Sequence, residues 1–240
     1  MQFIKSSKLK MDNKKVISMN AIKKIIPWII SIIFLGTLLG YGIKGFHSRY
    51  VADDYCYGYR VNQNDFFYNQ VNSYLTLTEY SSNRYSLTLF NNLAEKLGGA
   101  KFVPFVPSAT IILWLFGLTY LFIQINELVN NKKSLSTSIA SSATILLFTF
   151  YLAPNLYQIL FWLSGIHPYN TPLILLIILL GRMLAVVRKN SPIGWTNYIE
   201  FGLISFIACG FSETTALWQL ALFVAGLAIA FFFREKSVLA

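Results

Sequence analysis

The sequence predicts an all-α fold: a polytopic transmembrane helical bundle of about six spans, with short interfacial helices in its first outer loop. Three observations carry that prediction. Hydrophobic residues make up 55% of the 240 residues and charged ones only 12%, too little charge for a soluble chain of this length. Apolar windows long enough to cross a bilayer recur along the chain. Lysine and arginine collect in four separate clusters that a single topology puts on one side.

The chain opens on a basic tail, residues 1–24, with seven lysines against one acid, Asp12. This suits a cytoplasmic anchor beside anionic lipid, so the net charge of +10 does not point to nucleic acid. A basic region before an apolar run is also the outline of a signal peptide. The run from Ile25 is long, however, and no small-x-small cleavage site follows "YGIKGF", so it reads as an uncleaved first span. Met11 and Met19 offer later starts within the tail. The two cysteines, Cys56 and Cys209, have no metal or redox spacing, and a disulfide between them needs the fold to bring them together.

Residues 25–240 read as one transmembrane domain. Its expected spans are Ile25–Phe46, Phe102–Ile125, Ser136–Ala153, Thr171–Val187, Trp195–Gly210 and Thr215–Phe233. The basic clusters after the tail are "NNKKS" (Asn130–Ser134), "RMLAVVRKN" (Arg182–Asn190) and "REK" (Arg234–Lys236). Six spans put all four on the cytoplasmic side, with both termini, in a multi-pass protein of the cell membrane. The outer face then receives the loop 47–101, the segment Pro154–Asn170 and the turn Gly210–Glu213. Within the loop, Leu89, Phe90, Leu93 and Leu97 follow helical spacing and end at Gly98–Gly99, a helix stop. Phe67, Val71, Tyr74 and Leu75 form a second apolar stripe before it. Short one-sided helices beside a membrane lie along its surface.

On this topology the unusual polar residues share the outer face. Asp53 and Asp54 stand in "SRYVADDYCYGYR", Arg84 in "YSSNRYS", His167 in "FWLSGIHPYNTP" and Glu213 in "GFSETT". Each also has a plain structural reading. Asp is a common helix N-cap, Glu213 suits an exposed turn, and His167 beside Pro168 suits a loop. Arg84 suits a lipid-phosphate contact. Trp162 and Tyr169 suit interface anchors. Taken together, a carboxylate pair, a further acid and arginines suit group transfer from a lipid-linked phosphate. A carboxylate would take the proton of an attacking hydroxyl, and arginine would hold the phosphate leaving group.

A first span, an outer loop opening on an acidic "DD" pair, interfacial helices and further spans resemble the GT-C superfamily of membrane glycosyltransferases. More narrowly, "ADDYCYGYR" with the later "NRYS", "FWLSGIHPYNTP" and "GFSETT" is similar to bacterial proteins grouped with the type II glucosyltransferases, and to a related uncharacterised family. The resemblance implies a hexosyltransferase moving a sugar from a polyprenyl-phosphate donor to a cell-envelope glycan or lipid acceptor, on the extracytoplasmic face. It makes Asp53 or Asp54 the catalytic base or the ligand of a divalent cation, Mg or Mn. Arg60 and Arg84 become phosphate contacts, with His167 and Glu213 as further substrate-binding candidates. Asn83–Arg84 stands where that group more usually has Gly–Arg. Such enzymes usually carry more spans, so this chain is also expected to be an N-terminal portion of one. The competing expectations are a transporter or lipid-handling protein, with Asp53, Asp54 and Glu213 on an ion or head group, and a non-catalytic fragment. Transport sites favour internal repeats, and none is visible in the sequence.

Overall fold

The computed structural model describes residues 2–75, 84–130, 133–189 and 193–238, and all regular structure among them is helical. Asn83, Asn131, Lys132 and Asn190, which belong to segments quoted above, lie outside the described residues. The basic tail and the first span form one helix, α1 (Gln2–Gly45), with Pro27 inside it. The loop that follows holds three helices: α2 (Asp53–Gln63), α3 (Phe66–Leu75) and α4 (Tyr85–Leu97). Two 3₁₀ turns, Gly99–Lys101 and Val103–Phe105, lead into α5 (Val106–Asn130). Then come α6 (Leu135–Leu152), the single-turn α7 (Leu156–Leu160), α8 (Leu163–Arg188), α9 (Trp195–Cys209) and α10 (Glu213–Val238).

Among the described residues, four segments are long and apolar enough to cross a membrane: Ile25–Gly45, Gly99–Val129, Leu135–Leu152 and Leu163–Arg188. Helix α9, with 15 residues, extends about 22 Å, short of the roughly 30 Å of a hydrocarbon core. In α10 the apolar stretch among the described residues is Glu213–Ala228.

The centre of the bundle is built by α1, α5, α6 and α8. Leu38, Ile111, Trp114, Leu146, Phe150 and Ile174 are all buried there. Small and hydroxyl residues let α5 and α6 approach closely, and their polar groups meet across the gap. Thr119 Oγ1 donates to Ser142 Oγ at 3.1 Å, and Asn126 Nδ2 to Ser138 Oγ at 3.0 Å. Trp114 Nε1 donates to Asn170 Oδ1 at 3.2 Å, and Asn170 Nδ2 passes the link to the Ile159 carbonyl at 2.6 Å. Outward faces carry exposed Ile32, Leu39, Ile112 and Phe116. A bundle with an apolar rim and polar links inside is what lipid solvent favours.

The connecting segments collect at the two ends. At one end, Arg182 forms a double hydrogen bond with Glu200 at 2.6 Å, and Glu127 pairs with Arg188 and with Lys133. At the other, the loop before α5, the α7–α8 corner and the α9–α10 corner meet. The fourth expected span was to begin at Thr171, but α8 begins at Leu163. Its Pro168 and Pro172 lie within the first three turns rather than before the helix. They withhold only the N–H groups that Ser164 and Pro168 carbonyls would accept.

The α7–α8 corner depends on a glycine. A Cβ on Gly165 would lie 2.3 Å from the Gln158 carbonyl oxygen and 2.9 Å from the Trp162 ring. Gly165→Ala is therefore expected to destabilise the protein by about 1–3 kcal/mol. Gly226→Ala, where added bulk meets nothing within 4 Å, is expected to melt at or above the wild-type temperature. Equal melting of the two variants in the same detergent would contradict this packing.

Candidate functional site

The acidic pair splits at the start of α2. Ala52 precedes it with a positive φ of 48°, and within the helix consecutive side chains point about 100° apart, so the two carboxylates diverge. Asp54 is 1% exposed. Its Oδ2 accepts the Val51 N–H at 3.0 Å, and its Oδ1 accepts the Ser164 N–H at 2.9 Å and the Ser164 hydroxyl. One carboxylate thus pins the turn ahead of its own helix and caps the N-terminus of α8, where the helix dipole favours negative charge. Trp162 Nε1 adds a donor to the Val51 carbonyl at 3.1 Å, so this tryptophan ties the loop to α8. Asp53 is exposed and accepts no hydrogen bond among the described residues.

That division decides how the pair can be used. Both Asp54 oxygens already face donors, whose positive ends would also face a metal ion placed there. Among the described residues no group of three or more His, Cys, Asp or Glu side chains is placed to hold a metal. Asp54 therefore does not fit as a ligand of a divalent cation, Mg or Mn, while the Asp53 carboxylate remains open.

Asp53, Tyr57 and Arg60 repeat at i, i+4 and i+7, one face of α2. Burial, then the charge of Asp53, pushes the Tyr57 phenol above its ordinary value; Arg84 and Arg60 pull it the other way. Tyr57 therefore stays a hydroxyl donor, within electrostatic reach of Asp53, Arg60 and Arg84. Its role was hidden in the sequence because 53–63 has no apolar stripe to announce a helix. Had α2 been anticipated, the 53/57/60 spacing would have picked out this face.

Helix α4 is polar inward and apolar outward. Its buried residues include Ser86, Thr88, Asn91 and Asn92, while Leu89, Leu93 and Leu97 are exposed. The Ser86 and Leu87 N–H groups donate to the Gly210 carbonyl at 3.0 and 3.3 Å. Tyr85 donates to the Phe206 carbonyl at 2.6 Å and stacks on the Phe206 ring at 4.7 Å. Arg84 at the head of α4 grips Glu213 at the head of α10, with Nε–Oε1 at 3.1 Å and Nη2–Oε2 at 2.8 Å. This fork holds the Glu213 carboxyl below the ordinary carboxylate range. Glu213 is thus a partner of Arg84 and not an isolated turn acid.

His167 lies inside α8, not in a loop. Its Nδ1 is 2.5 Å from Asn91 Oδ1 on α4, and because that oxygen only accepts, Nδ1 carries the proton. Elsewhere in the corner, the Tyr50 hydroxyl donates to Glu95 Oε1. Burial, joined by the nearby Asp54 charge, pushes the Glu95 carboxyl up, while the Tyr50 hydrogen bond opposes it. Neither Tyr50 nor Glu95 stood out in the sequence, since each is a common residue in an amphipathic stretch. Cys56 and Cys209 are both free thiols, the first exposed on α2. Asp53, Arg60, Arg84 and Glu213 therefore gather at one end of the bundle, with His167 and Asn91 behind them and Asp54 as their anchor.

Compared with protein-family models, with curated proteins and with solved structures, the chain matches none. The site is therefore defined by its own geometry.

Removing the Asp54 carboxylate would leave the Val51 and Ser164 N–H groups without a partner. Asp54→Ala is expected to destabilise the protein by about 3 kcal/mol, the scale of losing two charge-assisted bonds to buried donors. Asp53→Ala is expected to leave the melting temperature essentially unchanged. Thermal unfolding of the two variants side by side checks this, and a reversed order would refute the assignment.

Proposed function

We propose that this chain is a membrane glycosyltransferase-like protein, moving a sugar from a polyprenyl-phosphate donor to a cell-envelope acceptor at the outer face of the cell membrane. The observation that carries the reading is Asp53: an exposed carboxylate that accepts no hydrogen bond among the described residues, on one helix face with Tyr57 and Arg60 and near Arg84. A base must be reachable by the hydroxyl it deprotonates, and Asp53 meets that condition while Asp54 is committed to capping. In the reaction the acceptor hydroxyl oxygen bonds to the anomeric carbon as the bond from that carbon to the phosphate oxygen breaks. The phosphate leaves with the electron pair, and the hydroxyl proton passes to Asp53. Arg60, and Arg84 if it exchanges Glu213 for substrate, would receive the leaving phosphate.

The topology belongs to the same reading. Six spans, counting α9 and α10, put both termini and the basic clusters in the cytoplasm. Helices α3 and α4 then lie along the outer surface, their exposed Phe67, Val71, Leu89 and Leu93 toward lipid. The meeting of the three connecting segments at one end, through Asp54–Ser164, His167–Asn91 and Arg84–Glu213, supports placing them on one side.

Two measurements test this reading. In membranes containing the full chain, Asp53→Asn is expected to lower transfer of labelled hexose from polyprenyl-phosphate-hexose to envelope acceptors by about 100-fold or more. Undiminished transfer in that variant would end the assignment of Asp53. Separately, in a Cys209→Ser background, a membrane-impermeant maleimide is expected to label Cys56 in intact cells. Labelling only after the membrane is opened would reverse the topology.

A further inference from the structure

Helices α2, α3 and α4 enclose a small cavity of about 20 Å³, lined by Tyr57, Arg60, Asn69, Ser73, Thr88 and Asn92. A cavity needs roughly 10–15 Å³ to hold one water, so this one admits a single oxygen-sized group. Two of its residues are already spent on structure. Asn69 Nδ2 donates to the Arg60 carbonyl at 3.0 Å, and the Ser73 hydroxyl donates to the Asn69 carbonyl at 2.6 Å. Asn92 is different. It is 3% exposed, and its Nδ2 has no hydrogen-bond partner. A buried amide with idle N–H groups costs stability unless something occupies the space.

We propose that this cavity is an oxyanion subsite that receives one oxygen of a phosphate group. Beside the acceptor oxygens of Asn69 and Asn92, the lining offers the Asn92 N–H groups, the Tyr57 and Thr88 hydroxyls, which can donate, and the guanidinium of Arg60, and it contains no carboxylate. Arg60 is exposed at the rim and forms no ion pair among the described residues. A lining with N–H and O–H donors, one fixed positive charge and no carboxylate matches an oxyanion, whereas a cation bound there would meet the Arg60 guanidinium with no carboxylate of the lining to offset it. The remainder of the phosphate would project past Arg60. The apolar stripes of α3 and α4, with Phe67 75% and Leu97 71% exposed, give the cavity apolar neighbours suited to a lipid carrying that phosphate. The inference rests on the reading of α3 and α4 as membrane-surface helices and not on transfer chemistry, so binding and catalysis can fail separately.

The test uses the full chain in phosphatidylcholine nanodiscs, with phosphorus NMR to measure binding. One arm adds inorganic phosphate, and the other incorporates phosphatidic acid. Wild-type protein is expected to bind at least one probe saturably. Saturation by inorganic phosphate identifies a free-anion site; saturation by phosphatidic acid alone identifies a lipid head-group site. Arg60→Gln is expected to weaken binding about ten-fold or more by removing the charged donor. Asn92→Asp, nearly equal in size, is expected to abolish it by setting a carboxylate against the oxyanion. Asp53→Asn is expected to bind phosphate at least as well as wild type, whatever it does to transfer, which separates this subsite from the catalytic reading. Should Asn92→Asp fail to fold, Arg60→Gln, a change at an exposed position, still decides the matter. Binding of neither probe, or equal affinity in wild type and Arg60→Gln, would overturn the proposal.

Discussion

Burying the Asp54 carboxylate would cost several kcal/mol if nothing replaced its water. Val51 and Ser164 supply that replacement, and the positive end of the α8 dipole adds to it. The consequences spread outward from this one side chain. Because Ser164 is capped from another segment, α8 can begin at Leu163, ahead of its two prolines. An earlier start places His167 in a helical turn, where its ring meets Asn91 of α4. Because Asp54 turns inward at the head of α2, Asp53 is left facing out on the face it shares with Tyr57 and Arg60. The corner of three segments is thus held by a cap between elements far apart in sequence.

The second constraint is the polarity of α4. A helix packed on a soluble core turns its leucines inward, but here Leu89, Leu93 and Leu97 face out while Ser86, Thr88, Asn91 and Asn92 face in beside Leu87 and Ala94. If α4 lies along lipid, as proposed, the apolar stripe needs no protein cover, and the polar face is free to line an interior. That interior is high-stakes, since each polar group there must find a partner. Most do: Asn91 has His167, Glu95 has Tyr50, and the first α4 N–H groups have the Gly210 carbonyl. The close approach at Gly210 is specific to glycine, because a Cβ would lie 2.3 Å from the Tyr85 ring. The amide nitrogens of Asn91 and Asn92 are both without a partner, and of the two only Asn92 lines the small cavity between α2, α3 and α4.

Much of the architecture was readable from local patterns. Helix α4 and its Gly98 stop followed from the leucine spacing, and α3 from the stripe at Phe67 and Val71. Four of the apolar runs appear as segments of spanning length. These features are legible because bilayer thickness and helical period act on contiguous residues. Helix α2 was not legible, since it is held by contacts with α4 and α8 rather than by an apolar stripe of its own. The start of α8 was misplaced for a related reason: two prolines in sequence signal a break, and only a distant carboxylate reveals that the helix has already begun.

The candidate site divides along the same line. By itself the sequence determined the residue types, an all-helical chain with apolar segments, and the nomination of Asp53, Asp54, Arg60, Arg84, His167 and Glu213. Those depend on composition and on local spacing, except Arg60, which entered only as what the resemblance implies. Tertiary structure alone decided which aspartate is buried, that Arg84 and Glu213 form a pair, and that Tyr57 stands among Asp53, Arg60 and Arg84. Burial and ion pairing are set by what lies across a packed interface. For Arg84 and Glu213 that partner is 129 residues away, a distance over which no local periodicity carries information.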